Sequence, residues 1–232
     1  MTFDQADFAL YTFFRSTSTA RVRTAARLKN IPVRFCYVNV RKDEQFREEF
    51  LRLNPNATVP VLTVTTKSGS PPKESSFSIK QSVAILEFFE EAFPGRTPLL
   101  PPMSDLVGRA YVRDLVNLVA ADIQPPTNRR ILLRVKEAGI TAEEWAFKIM
   151  GDGLKAFDEI AKPFAGKYSY GDTLTLADLV LAPAVENAVR YGVDLEKLPT
   201  VKRIFDRISV LEEFKAADWR HQEDTPPEEI NP

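Results

Sequence analysis

Phe8-Ala9-Leu10-Tyr11-Thr12-Phe13-Phe14-Arg15-Ser16-Thr17-Ser18-Thr19-Ala20-Arg21-Val22-Arg23 is the stretch on which the reading of this chain turns. Phe8 to Phe14 is an apolar, aromatic-rich run of strand length. Ser16 to Thr19 is a hydroxyl run suited to capping a helix, and Val22, Ala25 and Ala26 then recur at helical spacing. The pattern predicts a strand that opens directly into a helix N-terminus, where unpaired backbone N–H groups stabilise a nearby anion and four hydroxyls stand by. Charge agrees: Arg15, Arg21, Arg23, Arg27, Lys29, Arg34, Arg41 and Lys42 follow one another with no Asp or Glu before Asp43. Two readings fit, a seat for something negative and an ordinary capped helix with a solvated basic face.

Downstream, Ile31-Pro32 breaks the helix and Val33 to Val40 reads as a second strand, giving a βαβ unit with parallel strands and a right-handed crossover. Asp43 to Leu53 is a short amphipathic helix ended by the turn Asn54-Pro55-Asn56. Thr58 to Thr65 is a strand with Pro60 near its start, either a trans proline opening an edge strand or a cis turn at Val59-Pro60. A polar loop, Lys67 to Ser75, leads to a short strand, Ser76 to Ile79, and Gln81-Ser82 open a largely buried helix. Ser82 caps that helix, or the Gln81 amide and Ser82 hydroxyl hold an amino-acid end of a ligand.

The Pro-rich run from Phe93 to Pro102 is the clearest linker, and everything beyond it reads as helix. Asp105 to Ala121 is long and amphipathic, Asp122 to Asn128 breaks it, and Ile131, Leu132, Leu133 and Val135 continue at helical spacing. Thr141 and Thr175 each precede an acidic residue by three, the spacing of a capping box. Shorter helices follow at Pro199 to Val210 and Leu211 to Trp219, before a polar tail with Glu223, Asp224, Glu228 and Glu229 that reads as extended or disordered.

Composition narrows the function. A chain of 232 residues, 44% hydrophobic, can build a real core. A formal net charge of −1 gives no general attraction to nucleic acid or anionic membrane. No run approaches the roughly 20 apolar residues of a membrane helix, and Met1 to Asp7 does not resemble a leader, so a cytoplasmic location is expected. One cysteine, Cys36, and one histidine, His221, give no disulfide and no usual zinc site, and no metal is expected. No Gly-x-Ser-x-Gly elbow occurs, which argues against a hydrolase, and Cys36 in its apolar run reads as a buried, inert thiol.

The segment Arg15 to Arg23, followed by an Ala-rich helix, is similar to the signature of zeta-class glutathione transferases, a class that includes maleylacetoacetate isomerases. Further points of resemblance are Asn54-Pro55 with Val59-Pro60, Gln81 to Leu86, Ile123-Gln124-Pro125, Gly171-Asp172 to Asp178, Asn187 to Arg190 with Val193-Asp194-Leu195, and Asp224-Thr225-Pro226. The resemblance covers nearly the whole chain. It implies an α/β thioredoxin-like N-terminal domain at 1–93, a linker at 94–102, and an all-α C-terminal domain at 103–232 that binds substrate and ends in the polar tail. It also implies a cis Val59–Pro60 bond.

The implied cofactor is glutathione, in a site made of Ser16, Thr17, Ser18, Thr19, Ala20, Arg21, Gln45, Val59, Pro60, Gln81 and Ser82, bordered by Gln124 and Asn128. Ser16 takes the place of the activating hydroxyl, with Thr17 and Ser18 beside it as catalytic candidates. Ser18 stands where the class usually has cysteine, and a serine donates a hydrogen bond but forms no thiolate near neutral pH. The implied activity is glutathione-dependent cis–trans isomerisation of maleylacetoacetate to fumarylacetoacetate in tyrosine and phenylalanine catabolism. Arg15 and Arg190 are the expected holders of the substrate's carboxylates. Two other activities are compatible: glutathione transfer to small haloacids or other electrophiles, and a non-catalytic interaction module. The resemblance further implies a homodimer with a small anionic substrate, and neither nucleic acid nor membrane as partner.

Overall fold

Strand β1 (Asp7–Thr12) buries Phe8, Leu10 and Thr12, the alternate positions that one face of a strand must share. Helix α1 (Thr17–Leu28) crosses over to β2 (Arg34–Tyr37), which lies parallel to β1 with Leu10 opposite Phe35. A 3-10 turn, Glu44–Phe46, and a short helix α2 (Glu48–Leu53) lead to β3 (Val61–Ser68), antiparallel to β1 with Leu10 opposite Leu62. Hairpin partner β4 (Lys73–Ile79) completes a four-stranded sheet of order β2-β1-β3-β4, and α3 (Ser82–Ala92) packs beside α1. Leu10, Val22, Ala25, Val61, Leu62, Val64, Ile85, Leu86 and Phe89 form its solvent-free core. This computed structural model describes residues 3–68 and 73–230.

The strands are shorter at the site end than the apolar runs predict. β1 stops at Thr12 because the carbonyl oxygens of Phe13 and Phe14 accept from the Arg23 guanidinium and the Phe14 N–H goes to Asp224, so neither residue is available to a ladder. Much of the expected 67–75 loop is strand: β3 runs on to Ser68 and β4 starts at Lys73, while residues 69–72 lie outside the described residues. Cys36, expected to be buried, is half-exposed on the edge strand β2, with Arg34 Nη1 2.8 Å from its Sγ.

The second compact unit, Leu99–Phe214, is helical. It contains α4 (Leu106–Asn117), a π-helical stretch Leu118–Ile123, a 3-10 turn Pro125–Thr127, α5 (Arg129–Glu137), α6 (Ala142–Ala161), α7 (Leu176–Arg190) and α8 (Pro199–Ile208). The predicted break therefore takes the form of a widened turn before Pro125-Pro126, which cannot donate to the preceding carbonyls. The capping box at Thr175 and Asp178 forms as the spacing predicts, whereas Thr141 makes no side-chain cap despite the same spacing.

Helix α9 (Glu212–Ala217) spans the boundary, and Lys215–Pro232 groups by contact with Met1–Pro98 rather than with the helical half to which the sequence reading gave it. Nor is this segment extended. It holds a 3-10 turn, Trp219–His221, and a one-turn helix α10 (Pro227–Ile230). Among the described residues no helix is long and apolar enough to cross a membrane, and no group of three His, Cys, Asp or Glu could hold a metal ion.

Candidate active site at the start of helix α1

Ser16 is the N-cap of α1, with an extended backbone (φ −75°, ψ 109°) that turns the chain from strand to helix. Its Oγ accepts the Thr19 N–H at 3.2 Å, the bond a capping serine makes, and also the Thr19 hydroxyl at 2.8 Å. Ser16, Thr17 and Ser18 are half-buried and Ala20 is similar, while Thr19 is 0% exposed. Thr19 thus lies behind Ser16, its hydroxyl turned to the cap and away from solvent.

Arg21, a residue of the implied glutathione site, and Arg23 are both buried, each about 1% exposed, which excludes the solvated-face reading for these two. Desolvation lowers each guanidinium to about 10, so both stay charged at neutral pH. Arg23 is bound on all sides, donating to Thr12 Oγ1, to the carbonyls of Phe13 and Phe14, and to Ala217 O. Arg21 is different. Its Nη1 donates to Ser82 Oγ at 3.2 Å, and its Nε and Nη2 have no hydrogen-bond partner among the described residues. Through Ser82 the Arg21 charge lies beside the first turn of α3. Lys29, also buried, is paired with Glu90 at 2.6 Å.

Ser82 is buried in the first turn of α3, and Gln81, exposed, is the N-cap with no side-chain cap bond of its own. Two helix N-termini and a buried cation thus belong to one unit, an arrangement that favours an anionic ligand. The peptide bond Val59–Pro60 is cis. Buried Asn54 braces the approach to it, donating through Nδ2 to Thr58 O at 2.7 Å and accepting the Asn56 N–H at 3.1 Å. Val59 packs on Val38, Phe50 and Val61, and its own N–H and C=O make no hydrogen bond to another described residue. Gln45 is buried in the 3-10 turn; its Nε2 donates to Asp43 Oδ1 at 3.4 Å, and its Oε1 is unsatisfied. A buried amide oxygen without a donor, unpaired peptide groups at Val59 and an uncompensated guanidinium are what a ligand carrying amides and a carboxylate would satisfy.

In the second unit Gln124 lies between the π-helical stretch and Pro125, and Asn128 caps α5 by accepting the Ile131 N–H. Arg190 is exposed at the last position of α7, its guanidinium 5.6 Å from the Tyr191 ring. Arg15, by contrast, is engaged within its own unit. It pairs with Glu229 at 2.7 Å and lies 3.7 Å over the Trp219 ring.

Segment 215–230 is the part of this region that the sequence reading left without a role. Asp224 Oδ2 accepts the Phe14 N–H at 2.9 Å, Glu229 bridges Arg15 and Arg41, and Glu223 accepts from the Tyr37 hydroxyl. Burial pushes the Asp224 carboxyl up, and the hydrogen bonds from Arg41 and Arg15 hold Glu229 below its ordinary value. A signal was present: an acidic segment in a chain whose Phe8–Lys42 stretch is purely basic.

Family models for the glutathione S-transferase N-terminal domain and C-terminal domain match residues 10–97 and 134–217. The maleylacetoacetate isomerase of Aspergillus fumigatus is 44% identical over 94% of this chain and 93% of its own length. A crystal structure of maleylacetoacetate isomerase from Anaeromyxobacter dehalogenans, with dicarboxyethyl glutathione and citrate bound in its active site, superposes with a TM-score of 0.87 at 35% identity, covering 100% of both chains. The holo structure of a maleyl pyruvate isomerase, a bacterial glutathione S-transferase of zeta class, gives 0.83 at 35% identity over 94% of this chain and 100% of that one. Sheet order, helical second unit and these matches agree: the chain belongs to the glutathione S-transferase family, among the zeta-class isomerases.

Proposed function

We propose that this chain binds glutathione and with it isomerises maleylacetoacetate to fumarylacetoacetate, a step of tyrosine and phenylalanine catabolism. The observation that carries the reading is the half-buried Ser16 hydroxyl at the N-terminus of the 12-residue helix α1. When bound, glutathione supplies the thiol that acts as nucleophile. Ser16 keeps its proton and donates a hydrogen bond to that sulfur as the thiolate, and the α1 dipole adds positive potential, worth about 0.3–1 kcal/mol at an exposed terminus and up to about 2 when partly buried. Each unit by which these groups lower the thiol pKa is about 1.4 kcal/mol of thiolate preference. Thr17, Ser18 and Ala20 flank the sulfur position.

Val59 offers its N–H and C=O to the cofactor's peptide backbone beside Pro60, and Gln45 offers its side-chain amide. Gln81 and Ser82 take the amino-acid end, with Arg21 as buried countercharge behind Ser82. Gln124 and Asn128 are the further cofactor contacts that the class resemblance implies. Of the two candidates for the substrate's carboxylates, Arg190 is exposed, whereas Arg15 must give up Glu229 to serve. A homodimer acting in the cytoplasm completes the proposal, on the strength of the class resemblance.

The test is glutathione-dependent isomerisation of maleylacetone, a truncated analogue, by wild type and Ser16→Ala. Turnover should fall at least about 100-fold, the scale of losing one donor aimed at developing charge. Glutathione binding without isomerisation in the wild type would refute the isomerase reading in favour of a transferase acting on other electrophiles. Absence of both would leave an interaction module.

A further inference from the structure

We infer that Thr19 is a positioning residue that sets the direction of the Ser16 proton. A hydroxyl oxygen has two acceptor positions and one proton. On Ser16 both acceptor positions are taken by the same residue, one by the Thr19 N–H at 3.2 Å and the other by the Thr19 hydroxyl at 2.8 Å. The Ser16 O–H can then only donate, away from Thr19. Each bond accepted by Oγ also polarises that O–H, because donors feeding a chain of hydrogen bonds strengthen the next one. Thr19 is 0% exposed, so water cannot replace its hydroxyl and the residue cannot serve by touching cofactor itself. A helix N-cap needs only the backbone bond, which any residue at position 19 supplies; the second bond requires a side-chain donor. Threonine's methyl group adds a second constraint, since a β-branched side chain in a helix has few χ1 states and this one points Oγ1 back at residue 16.

The inference rests on the proposed role of Ser16 toward a glutathione sulfur, and the experiment separates the two. The bound thiol is titrated by thiolate ultraviolet absorbance in the binary glutathione complex of wild type, Ser16→Ala, Thr19→Val and Thr19→Ser, with glutathione Kd and Tm measured on each. Thr19→Val, close in shape but without the donor, should raise the bound thiol pKa by about one unit. The thiolate fraction well below that pKa then drops roughly tenfold, with Kd within about twofold of wild type. Thr19→Ser should restore the wild-type titration. If Thr19→Val does not fold, the smaller Thr19→Ala is read the same way. A wild-type thiol pKa in the variant lacking the donor, or Thr19→Ser as impaired as Thr19→Val, overturns the role of Thr19. An unshifted thiol pKa in Ser16→Ala overturns instead the role proposed for Ser16.

Discussion

The carboxylate of Asp224 accepts the backbone N–H of Phe14 at 2.9 Å, tying a residue late in the chain to the one two positions before the Ser16 cap. The other oxygen, Oδ1, is buried without a partner among the described residues. Asp224→Ala leaves the Phe14 N–H unsatisfied, at a cost of about 1–3 kcal/mol. The loss should be local: faster hydrogen exchange at the Phe14 and Arg15 amides and a several-fold lower kcat, with the amides of β3 unchanged. Uniformly faster exchange across the sheet would show that the contact supports the unit as a whole.

Glu229 gives the segment one pH dependence, opposite in sign to that of Asp224, whose carboxyl burial pushes up. Hydrogen bonds from Arg41 and Arg15 lower its pKa from the ordinary 4.5, so the folded state binds its proton more weakly than the unfolded chain. The stability it contributes is complete above the ordinary glutamate value and is lost as pH falls through the lowered folded one. Glu229→Gln should therefore lower Tm at pH 7, and the gap from wild type should close on acidification. A gap that stays constant down to pH 3 would mean that the charge is irrelevant.

Arg21 is costly to keep. Burial alone lowers its pKa to about 10, and no carboxylate pairs with it among the described residues. Holding a charge out of water carries a penalty of several kcal/mol, which an apolar side chain of similar volume does not. Arg21→Met should raise Tm or leave it unchanged while weakening glutathione about tenfold, as expected for a residue retained for binding. Lower Tm with unchanged glutathione affinity would make Arg21 a structural residue.

In the helical unit, Asp178 accepts the N–H groups of Ser169 and Thr175, each at 2.8 Å, and the Thr175 hydroxyl. Asp178→Ala removes a cap and orphans buried donors, together about 3 kcal/mol. Urea unfolding should show a lower midpoint, with Asp178→Asn intermediate. An unchanged midpoint would mean that water reaches these donors.

A Cβ added at Gly153 of α6 would run into the Ile123 side chain of the π-helical stretch, Cγ1 first. Ile123 is buried and precedes Gln124. Gly153→Ala gains helix propensity but overpacks the contact, so a net loss of about 1–3 kcal/mol is expected. Calorimetry should find a lower Tm, and a stabilised variant would show that Ile123 can rotate away.

Much of the architecture was legible because local chemistry dictated it. The apolar, aromatic-rich run of β1, the Ser16 hydroxyl run and the Thr175–Asp178 spacing each specify structure from within a few residues. Where long-range partners decided, the sequence misled. Phe13 and Phe14 have strand composition, yet their backbone groups are claimed by Arg23 and Asp224. The run of basic residues from Arg15 to Lys42 was read as a seat for a ligand or a solvated face, and neither describes it fully. Arg21, Arg23 and Lys29 are buried, while Arg15 and Arg41 are answered by Glu229 of the same chain. Thr141 and Thr175 have the same capping spacing, and only Thr175 forms the side-chain cap. No pattern of residue types distinguishes an arginine that holds a ligand from one that holds its own chain.

The bracing of Phe14 and Arg15 by segment 215–230 has a consequence for the chain as it is made. Synthesis delivers the strand, the Ser16 cap and α1 first, and the residues that fasten them only after some 200 more have been added. A nascent chain can hold the complete sheet and still lack the contacts that fix the turn before Ser16. A message broken before the codon for Asp224 would yield a protein with every proposed sulfur-facing hydroxyl in place and the turn that aims them unfastened. Catalytic competence would then begin only once Asp224 and Glu229 have been made and have reached Phe14 and Arg15.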